Sequence, residues 1–269
     1  MTDFLEPAFM QRALVAGILL SALSAYFGVF VVQKKLSFLG AGLGHAAFGG
    51  IAAGLFFSVN PLIVAIPFTV VVALGITWVK THTRLAGDTS IGIFFSVSVA
   101  AGVLFLSMRE GATTDAFSYL FGSILAVAPS DLWLAGCMMV LGLTTLPRMW
   151  GRWAYATFDE EAARIDRIPT RRDDLVLSVL LALTIVLSVK VVGILLVAAW
   201  LVVPAASARL VAPTFWSMTL LAIAAGMITT VVGLGAAWTI DVPPGATIVL
   251  AQVALFIVCM AIGRFMRGN

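Results

Sequence analysis

One histidine stands in the stretch LGAGLGHAAFGG (residues 39–50), where His45 is surrounded by glycine, alanine and large apolar residues. An imidazole can take a divalent cation on a ring nitrogen, or simply hydrogen-bond a carbonyl in a packed helix. The chain has only one other histidine, and a lone imidazole cannot build the four-ligand cage of a closed zinc site. Cys137 and Cys259 sit singly in separate apolar runs. That pattern suits buried packing residues better than a disulfide or a metal pair. Lys190 is the only charge within residues 175–208. It reads as a snorkelling lysine at a helix end, with an ion relay as the alternative.

The densest cluster of charge is RMWGRWAYATFDEEAARIDRIPTRRDD, residues 148–174, which holds six arginines and six acids. Asp159 is placed to cap a first helical turn, and Glu160 and Glu161 suit the positive end of the helix dipole. EEAARI has good helix propensity up to Pro169. The segment therefore predicts a short exposed helix flanked by basic residues, either a solvated loop or a docking helix. What is missing matters as much. The chain has no Gly-Lys-Ser/Thr and so no phosphate-binding loop, which puts any driving nucleotide hydrolysis on another chain. It also has no HExxH, no Ser-His-Asp set and no acidic pair within its apolar runs, which leaves an intramembrane hydrolase without a catalytic constellation.

These residues must be positioned by apolar elements. Hydrophobic residues make up 61% of the chain, charged ones only 11%, and mean hydropathy is +1.09; soluble domains carry about 25% charged residues. No Asp, Glu, Lys or Arg occurs in residues 36–79, 210–240 or 242–263. About 20 such residues cross a bilayer as a helix, so the fold class is all-α, a polytopic transmembrane bundle of eight to nine spans. The expected spans are 9–32, 38–57, 61–79, 90–108, 130–147, 174–190, 192–211, 215–238 and 246–265. The stretch 174–211 admits one span plus a broken or re-entrant one, and residues 113–129 suit an interfacial or re-entrant helix. Asp3 and Glu6, followed by a long apolar run, do not read as a removable signal peptide. The whole of residues 1–269 reads as a single transmembrane domain with a loop at 148–174.

Orientation follows the basic residues. Lys34, Lys35, Lys80, Arg84, the arginines of 148–172, Arg209, Arg264 and Arg267 all fall on one face if there are nine spans. That face is then cytoplasmic, with the N-terminus outside. Trp78, Trp133, Trp150, Trp153, Trp216 and Trp238 lie near span ends, where amphipathic rings settle. The net charge of +3 is accounted for by this asymmetry and calls for no nucleic acid.

Six segments in order resemble the permease subunit of the bacterial zinc/manganese/iron ABC importers. They are LSFLGAGLGHAAFGGIAAG (36–54), GDTSIGIFFSVSVAAGVL (87–104), DAFSYLFGSILAV (115–127), FDEEAA (158–163), VGILLVAAWLVVPAASARL (192–210) and PPGATIVL (243–250). The resemblance covers nearly the whole chain. It implies a multi-pass protein of the bacterial inner membrane, paired with a second permease copy, a cytoplasmic ABC ATPase dimer and an extracytoplasmic metal-binding protein. It also implies that Phe158, Asp159, Glu160, Glu161, Ala162, Ala163 and Arg164 form the coupling helix that sits in a groove of the ATPase. No cofactor is implied to be stably bound; the metal is cargo.

In that family the histidine of the glycine-led helix usually follows an aspartate by four residues, one turn away on the same face. Here the earlier position is Ala41, so His45 is left as the transient permeation ligand, with a helix-packing role as the alternative. Gly40 with Gly44, and Gly50 with Gly54, are spaced to let helices approach closely. An imidazole without its carboxylate favours zinc over the oxygen-preferring manganese, with iron a further option. The function expected is therefore the permease of an ATP-driven importer of a divalent transition metal, most simply zinc. A stand-alone secondary transporter is the runner-up, although the inverted repeats and intramembrane acids common in that class are not visible.

Overall fold

A computed structural model of the chain describes residues 6–83, 85–108 and 124–267. Nine of its helices are long and apolar enough to cross a membrane. They are α1 (Ala8–Gln33), α2 (Leu39–Phe56), α3 (Pro61–His82), α4 (Gly87–Ser107), α5 (Pro129–Arg148), α8 (Thr170–Val192), α9 (Ile194–Val211), α10 (Phe215–Ile240) and α11 (Pro244–Arg267). Two short helices, α6 (Trp150–Phe158) and α7 (Glu160–Ile165), fill the charged linker between α5 and α8. All nine expected spans are present, and 174–211 contains two complete helices rather than a re-entrant one. Only Gly193 separates them, at φ 82° and ψ 167°. A side chain is strained in that conformation, so a glycine is what allows α8 to stop and α9 to start at once. Most of the interfacial helix expected at 113–129 lies outside the described residues; Ile124–Ala126 forms one 3-10 turn.

Helices α1, α2 and α8 are mostly buried, and α3, α4, α5 and α11 form an outer layer that is mostly exposed. Lipid tails are as apolar as leucine, so the inner helices associate by close packing and a few polar bonds, not by escape from water. At the centre, Phe27, Phe30, Trp200, Leu201 and Ile185 are fully buried. Trp200 Nε1 donates to Thr230 Oγ1 at 3.0 Å, linking α9 to α10. Tyr26 links α1 to α5. Thr145 already donates to the Gly142 carbonyl at 2.6 Å, so the Tyr26 hydroxyl donates to Thr145 at 2.9 Å.

Backbones touch where α1 crosses α9. A Cβ at Gly28 would lie 1.9 Å from the Leu201 carbonyl oxygen, and backbone cannot step aside cheaply. Gly28→Ala is expected to cost about 1–3 kcal/mol or more through overpacking. Thermal unfolding of the detergent-purified protein should shift down by several degrees; an unchanged midpoint would contradict the α1–α9 crossing.

The thiols differ from expectation. Cys137 is exposed on α5 and Cys259 half-exposed on α11, and both are free. They are unpaired, as expected, but not buried, because both sit on outer-layer helices whose apolar faces look away from the bundle. Trp153, near the span ends, is 1% exposed and serves as a buried anchor.

Candidate functional site

Six of the eighteen residues of α2 are glycine, a composition that would not sustain a helix in water. In an apolar surrounding there is no competing solvent for the backbone groups, and the missing side chains become contact surface. Gly40 and Gly44 face Leu201 and Ile194 of α9, while Gly50 and Gly54 face Ala65 and Pro61 of α3. Both glycine pairs named from the sequence thus serve helix packing. Gly42 and Gly49 bring α4 in through Ile91 and the Ser98 carbonyl.

His45 lies on the remaining seam of α2, between the faces given to α9 and α4, and is half-buried. Its Nδ1 is 2.9 Å from the Ala41 carbonyl oxygen of its own helix. A carbonyl can only accept, so in the neutral ring Nδ1 carries the proton and Nε2 keeps a free lone pair. No hydrogen bond from a described residue reaches Nε2. An Nδ1–H bonded to a carbonyl is how ligating histidines are commonly oriented. The ring also meets Phe95 of α4 edge-on, with centroids 4.7 Å apart. Ala41 sits one turn away, half-buried, and supplies no side-chain ligand. Among the described residues no three His, Cys, Asp or Glu come together in a way that could hold a metal. The arrangement offers one imidazole nitrogen on a half-open helix seam, which suits brief contact with a passing cation better than retention.

The linker builds a second feature. Asp159 ends α6 and starts α7, and its carboxylate accepts from the Ala162 N–H at 2.8 Å, as its position predicts. Glu160 and Glu161 follow in the first turn, and Arg164 reaches back to Glu160 at 2.6 Å. That pair is exposed and contributes only a few tenths of a kcal/mol. The helix stops at Ile165, four residues before Pro169. Arg167 turns left-handed at φ 60°, and the Ile168 N–H closes on the Ala163 carbonyl at 2.9 Å. This end is a backbone closure of the Schellman type; Pro169 instead precedes α8. The Tyr155 hydroxyl donates to Asp166 at 2.6 Å, and that bond raises the phenol above its ordinary value near 10.

Of the seven residues expected to couple, Phe158, Asp159, Glu160, Glu161 and Arg164 are exposed, Ala162 is half-exposed and Ala163 faces inward. Ile165, not among them, is 81% exposed. Its place in EEAARI one residue after Arg164 was the available signal. An apolar pair, Phe158 and Ile165, thus stands among acids on an otherwise solvated turn.

The linker is fastened to three spans. Trp153 wedges against Phe27 and Phe30 of α1, with centroids 6.4 and 5.4 Å away. Trp150 Nε1 donates to Thr219 of α10 at 3.2 Å, and Phe158 meets Phe215 edge-on. Arg152 pairs with Asp173 of α8 at 3.1 Å. Nearby, Lys34 pairs with Asp174, and Arg171 donates to His82 Nε2 at 2.9 Å. Lys34, Arg152 and Arg171, three of the basic residues that marked one face of the membrane, thus come together at one end of the bundle. At the other end, Lys190 does not snorkel freely. It binds Asp131 at 2.5 Å, whose other oxygen accepts from the Ala128 N–H. That pair joins α8 to α5 across 59 residues, beyond the reach of local reading.

Comparison with known proteins fits this geometry. Residues 6–263 match the model of the ABC 3 transport family. The chain is 34% identical to the high-affinity zinc uptake system membrane protein ZnuB of Haemophilus influenzae, over 92% of this chain and 95% of that one. It is 31% identical to the manganese import system permease protein ScaB of Streptococcus parasanguinis, over 97% and 93% of the two chains. A solved structure of PsaBC from Streptococcus pneumoniae superposes with a TM-score of 0.83 at 29% identity, covering 96% of this chain and 93% of that one. The chain belongs to the ABC 3 transport family, as a multi-pass membrane subunit.

Proposed function

We propose that this ABC 3 family chain is the permease of an ATP-driven importer that carries a divalent transition metal, zinc before manganese or iron, into the cytoplasm. The observation that carries the reading is the pairing of a half-open His45 seam inside the bundle with an exposed helix, α7, on an anchored linker. Relatives named for zinc and for manganese uptake support the class of cargo. His45 Nε2 is the ligand on the path, with water and the His45 of a second permease copy completing the shell. The preference for zinc rests on imidazole without a carboxylate at Ala41.

Phe158 to Arg164, together with Ile165, dock on a cytoplasmic ATPase dimer, and an extracytoplasmic metal-binding protein delivers the ion. Motion of α7 passes through Trp153 to α1 and through Arg152 to α8, and α8 packs on α2. Docking and the His45 seam are thus mechanically joined without any nucleotide site on this chain.

The test is reconstitution in liposomes. With the partner ATPase, zinc should enter only when ATP is supplied, and faster than manganese. Uptake by this chain alone under a proton gradient, without ATP, would overturn the proposal.

A further inference from the structure

On the cytoplasmic side of His45 two aromatic rings lie along the seam. Phe38 caps the start of α2, and its ring lies 5.7 Å from that of Phe95, which in turn lies 4.7 Å from His45. Phe38 and His45 are seven residues apart, so they share one face of α2 and are separated by about 10.5 Å of helix rise. Phe95 meets both rings and so lies between them along this face.

The position of Phe95 is held from both sides. On α4, Ile91, Phe95 and Ser98 follow at the i, i+4, i+7 spacing of one helix face. Ile91 packs on Gly42 and the Ser98 carbonyl on Gly49, so α2 and α4 run parallel and in register. Phe95 is thereby aimed at α2 near His45. Helical side chains lean toward their own N-terminus, which for α4 is the end marked by the basic residues, so the ring leans over Ala41 toward Phe38.

We propose that Phe95, backed by Phe38, is the cytoplasmic gate of the path past His45, a step that rests on the reading of His45 given above. An apolar ring in a narrow seam excludes water, and a hydrated cation does not cross a dewetted constriction. In this state the two rings then stand between His45 and the cytoplasmic end of the seam. Release requires the Phe95 ring to swing or α4 to part from α2, and the close glycine contacts tie the second event to movement of the whole helix.

The gate can be read without metal. In the assembled importer carrying Cys137→Ser and Cys259→Ser, Ala41→Cys places a thiol beside the ring. A membrane-impermeant charged thiol reagent is added to nucleotide-free inside-out vesicles and, separately, to right-side-out vesicles. Labelling from the cytoplasmic side should be slow, and Phe95→Ala should speed it about tenfold. Phe38→Ala, at a position already 44% exposed and so safe for folding, should speed it less, and Phe95→Tyr should keep it slow. An unchanged rate in both alanine variants, or acceleration only from the outer side, overturns the gate. Because no ion takes part, this failure is distinct from that of the His45 reading, which is judged by metal uptake alone.

Discussion

His45→Ala is expected to cut zinc uptake by the reconstituted importer severalfold while leaving the bundle and its assembly with the ATPase intact. The two halves of that expectation have separate grounds. The only hydrogen bond the ring makes with a described residue goes to the carbonyl of Ala41 on its own helix. That carbonyl keeps its place in the α-helical ladder, so no buried group is orphaned by truncation. The ring is half-buried on a seam, and the glycine pairs that hold α2 to α9 and α3 point elsewhere. The loss in stability should stay near 1 kcal/mol, in the range of ordinary substitutions. Transport is different, because the described residues hold no group of three or more histidines, cysteines, aspartates or glutamates that could bind a metal. Removing Nε2 removes the one protein nitrogen the proposal places on the path. Isotopic zinc uptake, with gel filtration of the complex as the control for assembly, reads both halves. Wild-type uptake in the variant would make His45 a packing residue.

Deleting residues 158–164 should abolish ATP-driven uptake altogether. The deletion removes the Asp159 cap, the whole exposed acidic turn and Phe158, but leaves Trp153 seated against α1. A milder variant separates docking from folding. Ile165→Asp changes a side chain that is 81% exposed and supports nothing in the bundle. Apolar anchors in a docking surface are worth about 2 kcal/mol or more each. Loss of Phe158 and Ile165 together should therefore weaken ATPase binding on the order of a thousandfold. Co-purification in mild detergent and uptake should fall together. If uptake persisted after the deletion, α7 would be only a solvated turn.

Much of this was legible because membrane helices announce themselves. Long charge-free runs and the grouping of basic residues mark spans one at a time, and each span satisfies its own backbone. Asp159 as a cap was legible for the same reason, since it acts within three residues of itself. The stop at Ile165 was not, because Pro169 is the louder signal while the actual closure is a backbone bond from Ile168 to Ala163. Nor was Cys137 placed correctly. Apolar character says that a residue avoids water, but in a membrane both the bundle core and the lipid face satisfy that.

The sequence by itself determined that the chain spans the membrane about nine times, that it carries no Gly-Lys-Ser/Thr motif, and that His45 lies in a glycine-rich, close-packing helix with Ala41 one turn before it. These are properties of composition and of spacing within single helices. Only the tertiary structure decided which face of α2 each glycine pair serves, that Lys190 belongs to Asp131, that the linker is bolted to α1, α8 and α10, and that Phe95 lies across the seam below His45. Each of these joins residues from different helices. In lipid, helices choose neighbours by shape and by scarce polar bonds rather than by hydrophobicity, and one-dimensional apolar patterning carries almost none of that information.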